Sequence, residues 1–247
     1  MTESFWNPSV ADEGFVEIAV VNLNGGLPSD LVSEMLLYVL PDRRLRLARF
    51  RNSMDLQRSL IGDLVARVFV CEKTACRNTS LIFSVNEYGK PFFSGAYASH
   101  FNISHSGRWV AFAISDSPIG IDVEEGLFYD EELAINYFTS DEQAYVFSRD
   151  EGRRERFYEI WTLKESFIKQ LGTGLSTPLD SFYVKKADNG LWRINGKGVA
   201  ELCFYQKWLK DDSVLAACFY PKRDIEFCEI KMDELVEKVR NLDKISE

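Results

Sequence analysis

Gly120-Ile121-Asp122-Val123-Glu124, taken with Trp161-Thr162-Leu163-Lys164-Glu165-Ser166-Phe167-Ile168-Lys169, decides how this chain is read. In the first stretch apolar and acidic residues alternate. On a strand successive side chains take opposite faces, so Asp122 and Glu124 point the same way. The second stretch has helical spacing, with Glu165 and Lys169 four apart on one face and Trp161 a turn earlier. If strand and helix meet, two strand carboxylates and a helical Glu/Lys pair could hold a divalent cation and an anionic phosphate together. Each motif alone has a plainer explanation. Acidic pairs are common on the solvent face of a half-buried strand, and a Glu/Lys pair can simply support its own helix.

A third element weighs against the plainer explanations. Phe101-Asn102-Ile103-Ser104-His105-Ser106-Gly107 ends a strand with hydroxyls, an imidazole and backbone N–H groups, all suited to an anion. His105 is one of two histidines, and the other, His100, has no comparable setting. Adjacent strand residues face opposite ways, so Ser104-His105 gives no nucleophile–base pair, and no GxSxG elbow, Walker A loop or GxGxxG turn is present. Between residues 41 and 58 six arginines (43, 44, 46, 49, 51 and 58) stand against two aspartates, a local basic patch in an acidic protein. An exposed helix face explains such a patch as readily as a phosphate clamp does.

Working outward, residues 15–24 are β-branched and apolar and read as a strand. Helical spacing follows over 31–40, ended by Pro41, and again over 55–70, where Leu56, Leu60, Ile61, Leu64, Val65 and Val68 form the apolar stripe. Strands are expected over 80–85, 98–104, 109–115 and 119–124, and helices over 130–138, 140–147 and 151–171. Strands return over 181–186, 191–194, 201–208 and 214–220, with Asp188-Asn189-Gly190 as a hairpin turn. The order of strand, helices and several strands thus occurs twice, dividing near residues 116–118. The expected organisation is 1–117, 118–231 and a charged, solvated helical tail over 232–247.

Composition narrows the class. Hydrophobic residues at 46% and aromatics at 13% exclude disorder as a description of the whole, and 247 residues can bury a substantial core. A net charge of −9 argues against general nucleic-acid or anionic-membrane binding. Five cysteines without a CxxC pair suggest neither a disulfide framework nor a zinc site. With no basic leader or long apolar run, the expectation is a reduced, cytoplasmic protein.

Gly89-Lys90-Pro91, the 101–107 segment, Gly120–Glu124 and Trp161-x-x-Lys164-Glu165-Ser166-x-x-Lys169, continuing to Gly172-x-Gly174-Leu175, occur in that order. Together they resemble the 4'-phosphopantetheinyl transferase superfamily, in its long, surfactin-synthetase-activating (Sfp) type, over about residues 16–220. The resemblance implies an α+β fold of two similar α/β halves related by a pseudo-twofold axis, with the active site at their interface. It implies magnesium-dependent transfer of the phosphopantetheine arm of coenzyme A to a serine of an apo acyl or peptidyl carrier protein, releasing adenosine 3',5'-bisphosphate. By motif position Asp122, Glu124 and Glu165 are the metal carboxylates, Lys169 meets the diphosphate, and His105 meets the coenzyme's phosphates. Tyr88, Gly89 and Lys90, with Ser104, match the adenine end, and Arg43, Arg46 and Ser59 the 3'-phosphate.

Glu165 is the candidate base for the carrier serine. The apolar stretch 126–138 is expected to help dock the carrier, with core packing of Phe128 and Phe138 as the alternative. A monomer is expected, since the repeat supplies an interface that shorter relatives build by oligomerising. The pathway served (peptide, polyketide, fatty-acid or lysine-type) stays open. Two rivals remain at this point: a magnesium-dependent hydrolase cutting a diphosphate in coenzyme A or a nucleotide, and a silent module binding an anionic partner through the arginines.

Overall fold

The computed structural model describes residues 14–93, 100–126, 129–196, 201–221 and 223–245. Two successive segments build the same motif. The first runs β1 (Gly14–Asn22), α1 (Ser29–Leu36), α2 (Pro41–Leu47), α3 (Ser53–Thr74), the hairpin β2 (Phe83–Val85) and β3 (Pro91–Phe93), then β4 (His100–Ser106) and β5 (Trp109–Ser115). The second runs β6 (Gly120–Glu125), α4 (Glu131–Tyr137), α5 (Ser140–Val146), α6 (Arg153–Leu171), the hairpin β7 (Tyr183–Lys186) and β8 (Trp192–Asn195), then β9 (Cys203–Trp208) and β10 (Ser213–Phe219). The sheet orders β1-β5-β4 and β6-β10-β9 follow one scheme, in which the first strand pairs antiparallel with the last. The fold is α+β, and it is a pseudo-repeat.

The two sheets pack face to face. Val16, Ile18 and Val20 of β1 and Trp109, Ala111 and Ala113 of β5 meet Ile119, Ile121 and Val123 around β6 and Leu215, Ala217 and Phe219 of β10. The outer face of the first sheet is covered by α1 and α3, and that of the second by α4 to α6. Strands β5 and β10, packed on both faces, are buried at every position, which is why they read as continuous rather than alternating apolar runs. Burying each large aliphatic or aromatic side chain here contributes roughly 1.5–3 kcal/mol.

This layering fixes which way β6 faces. Ile121 and Val123 enter the core between the sheets, so Gly120, Asp122 and Glu124 turn toward α6. On β4, Phe101 and Ile103 face α3, which turns Asn102, Ser104 and Ser106 the other way.

Three expectations are corrected. Pro41 does not merely end a helix but opens α2, where a missing N–H is harmless at the first helical position. The three-residue strand β3 and the strand β11 (Arg223–Ile230) were not foreseen. β11 pairs in parallel with β1, in the sheet of the first half, and is followed by α7 (Met232–Arg240). The tail is helical but not solvated. Leu235, Val236 and Val239 are buried in the first core, and Ile245 donates its N–H to the Leu37 carbonyl. An apolar stripe at helical spacing lay hidden among charges that populate only the other face. Of the residues expected to dock a carrier, 127 and 128 lie outside the described set. Phe138 is core, at 3% exposure, while Ile135 and Tyr137 on α4 are exposed.

Candidate active site

Gly120 sets the site's dimensions. A Cβ there would lie 2.0 Å from the Ser166 carbonyl oxygen and 2.2 Å from the Gln170 nitrogen, so the backbone of α6 rests flush on β6. That approach lets Lys169 reach across to Asp122, Nζ to Oδ1, at 2.5 Å. The Ser104 hydroxyl donates to the same Oδ1 at 2.9 Å and accepts from Lys169 at 2.9 Å. Asp122 is 2% exposed, and its Oδ2 is buried with no hydrogen-bond partner.

β4 and β6 belong to different sheets but are knitted together by side chains. Ile121 N–H donates to Asn102 Oδ1 at 2.8 Å. Ser106 Oγ donates to Glu124 Oε2 at 2.7 Å and accepts from Glu125 N–H at 3.2 Å. Asn102, Ser104 and Ser106 thus form a polar row along one face of β4, each meeting one register step of β6. Of these, Ser104 and Ser106 were read from the sequence as hydroxyls suited to an anion, and Asn102 carried no role. The period-two spacing of polar residues in FNISHS was the available signal.

Burial and charge crowding perturb both glutamates. Glu124 is pushed up to about 7, by burial first and then by Asp122, with Ser106, Lys169 and Trp161 offsetting part of the rise. Glu165 is also raised, by burial first and then by Asp122, against the pull of Lys169. All three carboxylates therefore share one electrostatic neighbourhood. Among the described residues no group of three or more His, Cys, Asp or Glu side chains is placed so that it could hold a metal ion, Asp122, Glu124 and Glu165 included. Magnesium does not need one, since it is commonly bound by one or two carboxylates completed by water and phosphate oxygens. The unpartnered Asp122 Oδ2 beside Glu124 and Glu165 fits that donor set.

His105 lies on the face of β4 opposite Ser104, toward the start of α3. Burial lowers its pKa, as does the neighbouring Arg58 charge, so the ring is neutral near pH 7 and offers a single N–H donor. Arg58 donates to the Gly107 carbonyl at 2.5 Å and pairs with Asp55. On α2 and α3, Arg43 donates to Ser59 Oγ at 2.7 Å and to Asp63 Oδ2 at 3.0 Å, while Arg46 is exposed. Arg44 of the patch is structural, holding the Val39 and Ile245 carbonyls. β4 is thus a partition. One face serves the Asp122 cluster, and the other faces the basic cluster of α2 and α3.

The β2–β3 turn carries Tyr88 and Gly89. Asn86 Oδ1 accepts from the N–H groups of Tyr88 and Lys90 at 3.0 and 2.8 Å, and Gly89 has a φ of +89°, which glycine adopts without strain. The Tyr88 ring is exposed at 48%, whereas the Lys90 ammonium turns inward, onto backbone carbonyls. Lys164 of the WxxKE motif is fully buried and pairs with Glu142. It builds the helix rather than the site.

Residues 118–218 match the family described as the 4'-phosphopantetheinyl transferase superfamily, and residues 28–117 match 4'-phosphopantetheinyl transferase, N-terminal. The chain is 40% identical to the 4'-phosphopantetheinyl transferase Sfp of Bacillus subtilis (strain 168) over 154 residues, 62% of this chain and 69% of that protein. It is 37% identical to a 4'-phosphopantetheinyl transferase of Bacillus subtilis over 186 residues, 74% of this chain and 83% of the relative. It is 35% identical to the 4'-phosphopantetheinyl transferase psf-1 of Bacillus pumilus over 160 residues, 64% and 69% of the two chains. Both halves match, and the likeness spans most of the relatives' length; the chain belongs to the 4'-phosphopantetheinyl transferase superfamily, in its Sfp-like type.

Proposed function

We propose that this transferase moves the phosphopantetheine arm of coenzyme A onto a serine of an apo acyl or peptidyl carrier protein, with magnesium, and releases adenosine 3',5'-bisphosphate. The observation that carries the reading is the Lys169–Asp122–Ser104 junction, where a lysine and a buried carboxylate with one unpartnered oxygen meet between two sheets. Asp122, Glu124 and Glu165 would hold the magnesium ion, which when bound neutralises diphosphate charge. Lys169 would set its ammonium against the diphosphate. Arg43, Arg46 and Ser59 would take the 3'-phosphate, with His105 donating to a phosphate oxygen and Tyr88 and Gly89 lining the adenine end, while the Ser104 hydroxyl stays with Asp122 and Lys169.

In the transfer, the carrier serine oxygen bonds to the β-phosphorus as the bond from that phosphorus to the bridging oxygen breaks. The bridging oxygen leaves with adenosine 3',5'-bisphosphate. The serine proton passes to the Glu165 carboxylate, the one acid of the three carried on α6 rather than on β6. Exposed Ile135 and Tyr137 on α4 offer apolar contacts to the carrier. The chain works as a monomer, since its two halves already share a core.

The test is incubation with coenzyme A, magnesium and an apo carrier protein, read by intact mass. A carrier gaining one phosphopantetheine supports the reading. Cleavage of coenzyme A with the carrier unmodified would make the protein a hydrolase instead. Glu165→Gln is expected to bind coenzyme A but turn over slowly, and near wild-type turnover would remove Glu165 as the base.

A further inference from the structure

Lys90 belongs to the segment assigned above to the adenine end of coenzyme A, yet its ammonium is committed elsewhere. Nζ lies 2.9 Å from the Ile119 carbonyl, 2.5 Å from that of Lys169 and 3.3 Å from that of Gln170. An ammonium has three N–H donors, and three backbone acceptors use them all. The acceptors are not incidental. Ile119 immediately precedes β6, the strand of Asp122 and Glu124, while Lys169 and Gln170 lie in the last turn of α6.

The last carbonyls of a helix have no intrahelical donor and carry partial negative charge, so a cation is favoured there. The same β2–β3 turn adds a second strut, because Asn86 Nδ2 donates to the Gly172 carbonyl at 2.8 Å. Gly172 packs so closely on the turn that a Cβ would meet Lys90 Cδ at 3.1 Å and Asn86 Nδ2 at 3.2 Å.

We infer that Lys90, assisted by Asn86, is a positioning residue that bolts the end of α6 to the start of β6 and so sets Lys169 and Glu165 against Asp122, and that it is not a ligand of coenzyme A. The inference rests on the transferase reading above and deepens it. The turn presenting Tyr88 and Gly89 to the nucleotide end is mechanically continuous with the helix that carries the chemistry. A part of the substrate far from the reacting phosphorus thereby acts on turnover as well as on affinity.

The experiment uses the full chain and Lys90→Met, with three readouts: coenzyme A affinity by calorimetry, turnover on an apo carrier, and amide hydrogen exchange across residues 166–172. Turnover is expected to fall by about tenfold or more, because small misplacements of positioned groups are costly. Coenzyme A affinity should stay within about threefold, since no phosphate contact is removed. Exchange at the end of α6 should rise while that of α3 does not, and Lys90→Arg, which keeps a multi-donor cation, should recover part of the turnover. A loss of affinity as large as the loss of turnover makes Lys90 a ligand and overturns the inference. Unchanged turnover, or unchanged exchange, overturns it as well.

If Lys90→Met does not melt cooperatively, Asn86→Ala is judged by the same three readouts. Failure of the wild-type chain to load any carrier would count against the transferase reading alone, and the exchange data would still decide the clamp.

Discussion

Lys169 Nζ lies 2.5 Å from Asp122 Oδ1, and the hydroxyl of Ser104 hydrogen-bonds both. Helix α6, strand β6 and strand β4 each supply one group, so the junction exists only when both sheets are assembled. Lys169→Met would leave a buried carboxylate with only a hydroxyl donor. Lys169 is 28% exposed in its side chain, which places the cost below that of a fully buried pair, at about 1–3 kcal/mol by urea denaturation. Carrier loading should fall by about 10²–10³-fold, as for other preorganised charge-stabilising groups. A variant that loads carrier within tenfold of wild type would remove Lys169 from the diphosphate site.

Glu124 makes the ligand-free protein sensitive to pH. Its folded pKa of about 7 exceeds the ordinary 4.5, so the native state holds a proton that the unfolded chain releases earlier. That contribution is complete below about pH 4.5 and is lost as pH rises through about 7. Glu165, also raised, acts in the same direction. The Glu124 part of the loss is on the order of 3 kcal/mol. Magnesium favours the ionised carboxylates, so its stabilising effect should be larger at pH 8 than at pH 6. Thermal midpoints across this range, with and without magnesium, check both statements; equal magnesium effects at the two pH values would contradict the assigned donor set.

Gly120→Ala tests the flush contact of α6 on β6. The new methyl would overlap backbone atoms on the facing helix, not a flexible side-chain tip. The helix must retreat, at a cost of about 3 kcal/mol. Retreat also lengthens the Lys169–Asp122 approach, so the variant should lose loading activity even at temperatures where it is fully folded. Wild-type stability would mean that α6 and β6 do not touch there.

Much of this arrangement was legible in the sequence because it follows from local periodicity. The alternation in Gly120–Glu124 placed Asp122 and Glu124 on one face, and the helical spacing of Glu165 and Lys169 placed that pair on another. Chain order alone revealed the repeat. What escaped was decided by tertiary partners. Nothing local shows that Lys90 points at the carbonyls of Ile119, Lys169 and Gln170, or that Lys164 of the same motif as Lys169 is sealed inside. β11 alternates weakly and is exposed over much of its length, so it gives no strand signal until β1 offers it an edge, and α7 carries charges on all but one stripe, so it reads as solvent-facing until the first core covers that stripe.

The buried pair behind α6 offers a last measurement. Lys164 Nζ lies 2.7 Å from both oxygens of Glu142 and 2.8 Å from the Phe182 carbonyl, with both side chains at 0% exposure. Glu142 also accepts from Thr139 N–H at the start of α5 and from Val184 N–H on β7, each at 2.8 Å. One carboxylate thus ties three elements together. Lys164→Met strands that carboxylate in the interior and should cost about 3–5 kcal/mol, because breaking a buried pair from one side leaves an uncompensated charge. Adding Glu142→Gln removes the stranded charge while keeping an acceptor for Val184. The double variant should therefore be more stable than the sum of the single effects by at least about 1 kcal/mol. Strict additivity in urea denaturation would show that the two side chains do not act as a pair, and that α6 is held against α5 and β7 by its apolar packing alone.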